Sequence, residues 1–441
     1  MRPMIEDRNI EKKHSLAAVV LLLIFAGGML IGLLIVQARQ RIYLSEPVGL
    51  VNSGLAVRVP EGMGWESTEV WVYEPPNRFA IVATLRTGVQ RVASVRYQYV
   101  LAAHGVEPDE YLRAAAANMR IARRGRLGNG VEMEWAQLVA LGEVADTVVG
   151  FAALPQGRAL VLTVRTPGDH LLASRLFGML VEAIEFETPE AIEAGAGLVA
   201  RMREEGVARM LQESGGFAEE AAFLIKNFDR PTGFQIGQWR HNPDSRDWGV
   251  IKADRVYYEA GTEGGLSRSY FECSEGMDRY IWHTRRGRLA GGGGASIVEL
   301  SAEGTLRASG GALLQDTVYR PVIAVPEVLM EQAARAFLGG PAKDAIIDII
   351  FDDGRLIPMR VSAADGLQDP DNTWDVQYCV RFEYPGSVNS QTRFYFDGER
   401  RLAGRIHGGR RNYVWEFSDR RRLTEVFGDL SRFTGVESPT D

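Results

Sequence analysis

The chain has 441 residues, a formal net charge of −7, and a composition that is 46% hydrophobic and 24% charged. These fractions are ordinary for folded globular protein and exclude a largely disordered chain. The acidic balance excludes a general nucleic-acid binder, because phosphate contacts require a basic face. Two cysteines are too few for a disulfide-built scaffold.

The longest apolar segment runs from Leu16 to Val36, inside a stretch from His14 to Arg39 with no ionisable side chain between its ends. As a helix it would extend about 31 Å, the thickness of a bilayer core. We therefore predict a transmembrane helix over residues 16–36 that acts as an uncleaved signal anchor. The alternative is a cleaved signal peptide, whose apolar core is about 7 to 15 residues long.

Basic residues flank both ends of this predicted span: Arg2, Arg8, Lys12 and Lys13 precede it, and Arg39 and Arg41 follow it. The excess on the N-terminal side predicts that residues 1–15 are cytoplasmic and that the bulk of the chain is extracytoplasmic. Gly28 and Gly32 share one helix face, a spacing that lets two membrane helices approach closely. Lipid-facing glycine is the alternative.

Residues 50–187 alternate between the periodicities of strands and helices. A period-two pattern begins at Leu55, a helix begins near Pro108, an antiparallel meander follows, and Asp169 opens a second helix. This order predicts an α/β-sandwich domain in an α+β protein.

The segment Leu55–Gly62, the following Trp65 and the terminal Glu182–Phe186 carry a family resemblance. Together they resemble the PsbP and DcrB-like superfamily over about residues 50–187. The resemblance implies the fold of this domain. It implies no cofactor and no catalytic residue, because that superfamily contains binding and assembly modules without a shared catalytic residue.

The rest of the chain divides into three segments. Residues 188–230 are predicted to be a helical linker that packs on a neighbouring domain or, alternatively, lies on the membrane surface. Residues 231–430 are predicted to be a mainly antiparallel β-rich domain with one helix over Pro326–Phe337. This domain is similar in architecture to LolA-type lipoprotein carriers. Residues 431–441 are predicted to be a flexible C-terminus.

No metal or cofactor motif is complete. Asp369–Asp375 places oxygen ligands at alternate positions as a calcium loop does, but Val380 stands where the bidentate glutamate belongs, which favours a polar turn. Zinc-protease and serine-hydrolase motifs are absent from the sequence. An envelope hydrolase with a dispersed site formed by Asp352, Asp353 and His407 remains an alternative.

Arginines are concentrated near the C-terminus: Arg400, Arg401, Arg405, Arg410, Arg411, Arg420, Arg421 and Arg422. Such a cluster can bind anionic lipid headgroups, cell-wall polymer or an acidic envelope protein, and a solvated face is the alternative.

Cys273 and Cys379 are predicted to lie outside the cytoplasm on strands of one domain, where a disulfide is possible. Cys379 shares its strand face with Gln377 and Arg381, so two separate thiols remain the alternative.

Taken together, these features predict a single-pass, membrane-anchored envelope protein whose extracytoplasmic domains bind or scaffold without catalysis. Its partners would be the bilayer and an envelope protein, lipid or cell-wall component. The alternatives are a lipid or lipoprotein carrier, which requires a large apolar cavity, and a hydrolase, which requires convergent carboxylates and histidine.

We predict that full-length protein stays in the membrane pellet after alkaline carbonate extraction, because an uncharged helix of bilayer length is stable in lipid. Release of full-length protein, or a mature N-terminus at Arg39, would contradict the anchor.

Overall fold

The computed structural model describes residues 19–30 and 42–434, except for residues 63, 69, 88–89, 104, 117–118, 128–130, 141–144, 168–169, 218–219, 243–247, 261–264, 289–292, 311–316, 365–373, 386–390 and 409–412. Residues 19–30 form helix α1, inside the predicted membrane span; residues 16–18 and 31–36 of that span lie outside the described part. Among the helices within the described ranges, none combines the length and apolarity needed to cross a membrane. The anchor therefore stays a prediction.

The other described helices are α2 (Pro108–Ala115), α3 (His170–Glu182), α4 (Glu190–Glu205), α5 (Val207–Glu213), α6 (Met330–Leu338), α7 (Arg420–Phe427) and α8 (Ser431–Thr434). Two 3₁₀ turns cover Pro155–Gly157 and Glu327–Leu329. Helices α4 and α5 lie inside the predicted linker of residues 188–230.

The N-terminal strands are β1 (Tyr43–Leu44), β2 (Val48–Leu50), β3 (Leu55–Val57), β4 (Pro60–Glu61), β5 (Trp65–Ser67), β6 (Val72–Glu74), β7 (Arg78–Thr87), β8 (Gln90–Val100), β9 (Met119–Leu127), β10 (Met133–Ala140), β11 (Ala145–Leu154), β12 (Arg158–Pro167) and β13 (Glu185–Phe186). The main sheet has the order β5-β7-β8-β12-β11-β10-β9, with β6 also paired to β7. Two smaller sheets have the orders β1-β4 and β13-β3-β2.

Helices α2 and α3 cover opposite faces of this main sheet. Leu112 of α2 packs with Phe151 of the sheet, whereas Phe177 of α3 packs with Leu162. Successive strand residues point to opposite faces, so both faces of the sheet are buried. The predicted α+β organisation with large antiparallel sheets is confirmed; the PsbP and DcrB-like assignment stays a prediction.

The C-terminal strands are β14 (Ala221–Asn227), β15 (Arg230–His241), β16 (Ile251–Glu259), β17 (Gly265–Cys273), β18 (Tyr280–Arg288), β19 (Gly293–Leu300), β20 (Leu306–Gly310), β21 (Thr317–Tyr319), β22 (Ala324–Pro326), β23 (Asp344–Ile350), β24 (Leu356–Ala363), β25 (Tyr378–Glu383), β26 (Gln391–Phe396), β27 (Leu402–Gly408) and β28 (Tyr413–Ser418). They form one sheet of 15 strands, in which consecutive strands pair except β21 with β22. The last strand, β28, pairs with the first, β14.

This strand order requires the sheet to curl. Laid flat, 15 strands would separate the edge strands β21 and β22 by about 67 Å. The chain from Tyr319 to Ala324, which joins those edges, reaches at most about 19 Å when fully extended. The two edges therefore lie close together, and the sheet encloses a concave side.

Helix α6 and the 3₁₀ turn before it lie on this concave side. The Arg255 guanidinium on β16 donates a hydrogen bond to the carbonyl oxygen of Val328 at 2.9 Å. On the other half of the sheet, Arg335 of α6 stacks over the Phe396 ring at 5.3 Å. The turn and helix thus bridge the two halves of the curled sheet.

Four residues of the C-terminal segment that is predicted to be flexible, 431–434, lie within the described part of the chain. Residues 431–434 form α8, and the fully buried Phe433 lies 5.3 Å from the Phe234 ring. Burial of an aromatic side chain stabilises this short helix against the sheet.

The N-terminal domain, the linker helices and the curled sheet share one hydrophobic cluster. Helix α4 approaches β23 so closely that a Cβ atom on Gly195 would lie 1.9 Å from the Ile346 carbonyl oxygen. The Leu356 amide donates to the Pro76 carbonyl oxygen at 2.7 Å, and the Tyr73 hydroxyl donates to the Leu356 carbonyl oxygen at 3.0 Å. These contacts hold the N-terminal domain against the sheet.

A buried ion pair lies at the same boundary. Arg158, which begins β12, contacts the Asp348 carboxylate on β23 at 2.9 Å, and the two side chains are 1% and 3% exposed. Arg158 also lies over the Tyr99 ring at 6.0 Å. Burial raises the pKa of Asp348, and the neighbouring Arg158 opposes that rise. Each buried charge is thus stabilised by its ion-pair partner in the other domain.

The two cysteines lie on opposite faces of the curled sheet. Both are buried free thiols. Cys273 belongs to the main hydrophobic cluster with Val380 and Phe382, whereas Cys379, adjacent to Val380 on β25, packs with Tyr395 in a separate cluster. Adjacent strand residues face opposite ways. Of the two alternatives, the arrangement favours two separate thiols over the possible disulfide.

We predict that Asp348→Ala lowers the free energy of unfolding by about 3–5 kcal/mol, because it leaves a buried, unpaired Arg158. The double variant Arg158→Met/Asp348→Ala should recover much of this loss in chemical denaturation. As a matched control, Glu425→Ala, which breaks the exposed pair with Arg421, should cost at most about 0.5 kcal/mol. Equal small losses at both sites would contradict a structural role for the buried pair.

We further predict that neither cysteine reacts with iodoacetamide in the folded protein. Burial raises the pKa of the Cys379 thiol to about 11 and also raises that of Cys273, so little reactive thiolate forms near neutral pH. After unfolding without reductant, mass spectrometry should find both thiols labelled; a mass two hydrogens lower with no label would establish the disulfide instead.

Candidate ligand-binding cavity

The concave side of the curled sheet contains a cavity of about 600 Å³. Strands β15 to β18 line one side, strands β26 to β28 line the other, and the 3₁₀ turn and α6 contribute Glu327 and Met330. Small residues on β17, among them Ser267 and Ser269, leave space for this cavity. A cavity of this volume accommodates a drug-sized ligand.

Four aromatic side chains contribute to the lining: Tyr257, Trp282, Tyr384 and Trp415. Trp282 and Trp415 are 3% and 8% exposed. Their indole Nε1 atoms are buried and have no hydrogen-bond partner in the part of the chain that the structure describes. These two donors are covered by protein atoms, so the indole rings offer the cavity apolar surface and not free N–H groups.

Two arginines reach into the cavity from opposite walls. Arg255 extends from β16 over the Trp239 ring at 5.4 Å, and Arg405 extends from β27 over the Trp415 ring at 4.2 Å. Burial lowers the pKa of Arg255 to about 10, and the positive charge of Arg405 contributes to that decrease. Burial also lowers the pKa of Arg405. Both side chains remain cationic at neutral pH.

Acidic residues equal the arginines in number in the lining of the larger cavity: Glu259, Glu327 and Asp352 stand with Arg255, Arg286 and Arg405. Arg286 forms an ion pair with Asp352, whose pKa is raised to about 6 by burial. Glu259 accepts a hydrogen bond from Tyr257 at 3.3 Å. For Arg405 and Glu327, the described residues supply no ion-pair partner within 4 Å. Arg405 thus has no carboxylate in direct contact among these residues, although the charges of Glu327 and Glu331 act on it from farther away and oppose the decrease in its pKa.

A second cavity, of about 310 Å³, continues from the first on the other side of the arginines. Six residues line both cavities: Gln235, Arg255, Glu327, Met330, Arg405 and Trp415. We call this shared set the waist. It contains two cations and one carboxylate, so its formal charge is +1. The waist lies between the two cavities and gives their junction a net positive formal charge.

The residues considered for a hydrolase are only partly brought together. Asp352 and His407 line the large cavity, whereas Asp353 pairs with Arg355 at 2.7 Å and is absent from the lining. His407 Nδ1 lies 2.9 Å from the Thr392 hydroxyl, and burial lowers its pKa. Within the described ranges, no group of three possible metal ligands occurs. Among the described residues, no carboxylate is hydrogen-bonded to His407, so a nucleophile, a base and an orienting acid are not brought together there.

The arginine cluster predicted from the sequence does not form one face. Arg405 lies in the waist, Arg401 borders the smaller cavity and pairs with Glu399 at 2.7 Å, and Arg400 lies in an exposed turn. Helix α7 carries the exposed Arg420, Arg421 and Arg422, of which Arg420 pairs with Glu220 at 2.6 Å and Arg421 with Glu425 at 3.3 Å. Arg410 and Arg411 lie outside the described residues.

Gly28 lies on α1, and a Cβ atom there would meet no atom within 4 Å; Gly32 lies outside the described residues. The predicted calcium-like turn, Asp369–Asp375, lies outside them except for its last two positions.

The sequence patterns do not identify Arg255 and Glu327 as candidate site residues. Arg255, Tyr257 and Glu259 alternate along β16 and face the cavity together. The period-two pattern was visible, but both faces of this strand mix polar and apolar residues, so the pattern did not identify the inner face.

No protein-family model matches this chain, and no curated protein matches it. The solved structures include a match to a beta-barrel-like protein of a domain of unknown function, DUF1849, from Brucella abortus. The identity is 9% and the TM-score is 0.34, over 45% of this chain and 95% of the other. A similarity of this size identifies neither the fold nor the function.

Proposed function

We propose that this protein is a membrane-tethered envelope protein that binds an organic ligand inside its curled sheet, without catalysis. The observation that carries the proposal is the cavity of about 600 Å³, lined by aromatic rings and by cations. Ligand sites are typically concave and largely apolar, with a few polar groups that orient the ligand.

The proposed tether rests on the uncharged segment Leu16–Val36 and on the exposed apolar side chains of α1, such as Leu22 and Phe25. Exposed apolar residues on one continuous helix are typical of contact with lipid. The N-terminus would be cytoplasmic and the cavity extracytoplasmic. The N-terminal domain, in this proposal a PsbP and DcrB-like module, would support the sheet through the shared core.

Two observations favour ligand binding over the alternatives. A carrier of acyl chains requires a predominantly apolar cavity, but this one presents Arg255, Arg405 and Glu327 at its centre. A hydrolase requires a positioned nucleophile, but the Thr392 hydroxyl beside His407 is also engaged by Tyr384. A cavity that only binds a ligand needs neither a predominantly apolar lining nor a positioned nucleophile.

We predict that Ser269→Trp weakens binding of an uncharged aromatic probe, naphthalene-1-sulfonamide, by at least about tenfold. Ser269 pairs with Arg255 across β16 and β17 and lines the cavity, so a tryptophan there occupies the ligand volume. Calorimetric titration of full-length protein in nonionic detergent, with protein-free micelles as the blank, measures the effect; tenfold corresponds to about 1.4 kcal/mol.

The matched control is Arg307→Trp, which adds the same side chain at an exposed position of β20. It should leave probe affinity unchanged. Equal loss in both variants would contradict binding in the cavity. Thermal unfolding of both variants establishes that they are folded.

A further inference from the structure

Given the proposed binding function, we infer that the ligand is an organic monoanion whose charged group is held at the waist by Arg405 together with Arg255. A sulfonate, carboxylate or phosphodiester attached to an apolar body has this chemistry. The inference deepens the proposed function by naming the ligand class, and it rests on charge and hydrogen-bond donors at the junction of the two cavities.

The first argument is the charge of the waist. Arg255 and Arg405 are both cationic, and Glu327 is the acid that shares this lining. The formal charge of +1 would be neutralised by one anion. Two like charges enclosed by protein repel each other strongly because the effective dielectric is low. An anion between them would relieve that repulsion.

The second argument is that the arginines of the waist have hydrogen-bond donors available for a ligand. The Arg255 guanidinium donates one N–H to the Val328 carbonyl oxygen, and no other described residue accepts a hydrogen bond from it. The Arg405 guanidinium donates no hydrogen bond to any residue within the described ranges. A ligand rich in acceptors would satisfy these donors, because buried donors without a partner are costly.

The third argument is the lining on either side of the waist. The larger cavity presents Tyr257, Trp282 and Tyr384, and the smaller one presents Phe223, Trp239 and Phe394. These aromatic surfaces favour an apolar body beside the charged group, since aromatic side chains provide most of the buried contact area in such sites. A bare inorganic anion would leave this surface uncovered.

The test compares naphthalene-1-sulfonate with naphthalene-1-sulfonamide, which have nearly the same shape but differ in charge. We expect the unmodified full-length protein to bind the sulfonate more tightly, and we expect Arg405→Gln to weaken sulfonate binding by about 10- to 100-fold, the size of a charge-assisted hydrogen bond. Sulfonamide binding should change by less than about threefold, a difference below 1 kcal/mol. Arg421→Gln, on exposed α7, should change neither.

Two further measurements test the inference even if Arg405→Gln changes the shape of the cavity. Arg405→Lys retains the charge and should retain the preference for the sulfonate; loss of that preference in a folded Arg405→Lys variant would overturn the inference. Inorganic sulfate at the same concentration should not displace the sulfonate probe. Displacement would mean that the anion alone is bound and would also overturn it.

The outcomes separate this inference from the proposed function. Equal affinity of the unmodified protein for both probes, with binding abolished by Ser269→Trp, would reject the anion and leave the cavity as the binding site. Absence of binding by either probe would reject both.

Discussion

The pairing of β14 with β28 is the constraint on which the curled sheet depends. The other antiparallel pairs of that sheet join strands that are neighbours in sequence, whereas this one joins Ala222 to Ser418 and extends to Asn227 beside Tyr413. Side chains support the closure: the Phe223 and Phe417 rings lie 4.6 Å apart, and Lys226 contacts Glu416 at 2.6 Å. Cross-strand pairs of these kinds each contribute about 0.2–1 kcal/mol. Without this pairing, β15 to β18 and β26 to β28 would not face each other across a cavity.

The sequence patterns predicted local structure much better than they predicted this closure. The helix beginning at Pro108 and the meander after it were predicted from proline position and period-two alternation, and both agree with the structure. The pairing of the first and last strands has no local signature, because it depends on burial across the whole domain. The same limitation applies to the candidate site. Arg405 was singled out as part of a cluster, but its inward direction depends on which strand face the closure encloses.

The two domains are separate along the sequence but share one hydrophobic core in the folded structure. The helical tract over α4 and α5 separates two strand-rich regions along the chain, yet its apolar residues, such as Leu198 and Met202, belong to the cluster that contains both regions. The Arg158–Asp348 pair crosses that boundary with almost no solvent exposure. A buried pair of this kind is weak evidence for stability but fixes the relative position of two elements strongly, because either charge alone is costly.

The cations of the waist differ from that pair in a way that bears on function. Arg158 has a carboxylate at 2.9 Å and is almost fully buried, whereas Arg405 faces a cavity and has no ion-pair partner within 4 Å among the described residues. A cation enclosed in protein with no carboxylate in direct contact is costly, and replacement by an apolar side chain would remove that cost. A purely structural role would favour such a replacement here, since the Trp415 ring already packs against the Arg405 guanidinium. The charge is explained more directly if it acts on something that enters the cavity.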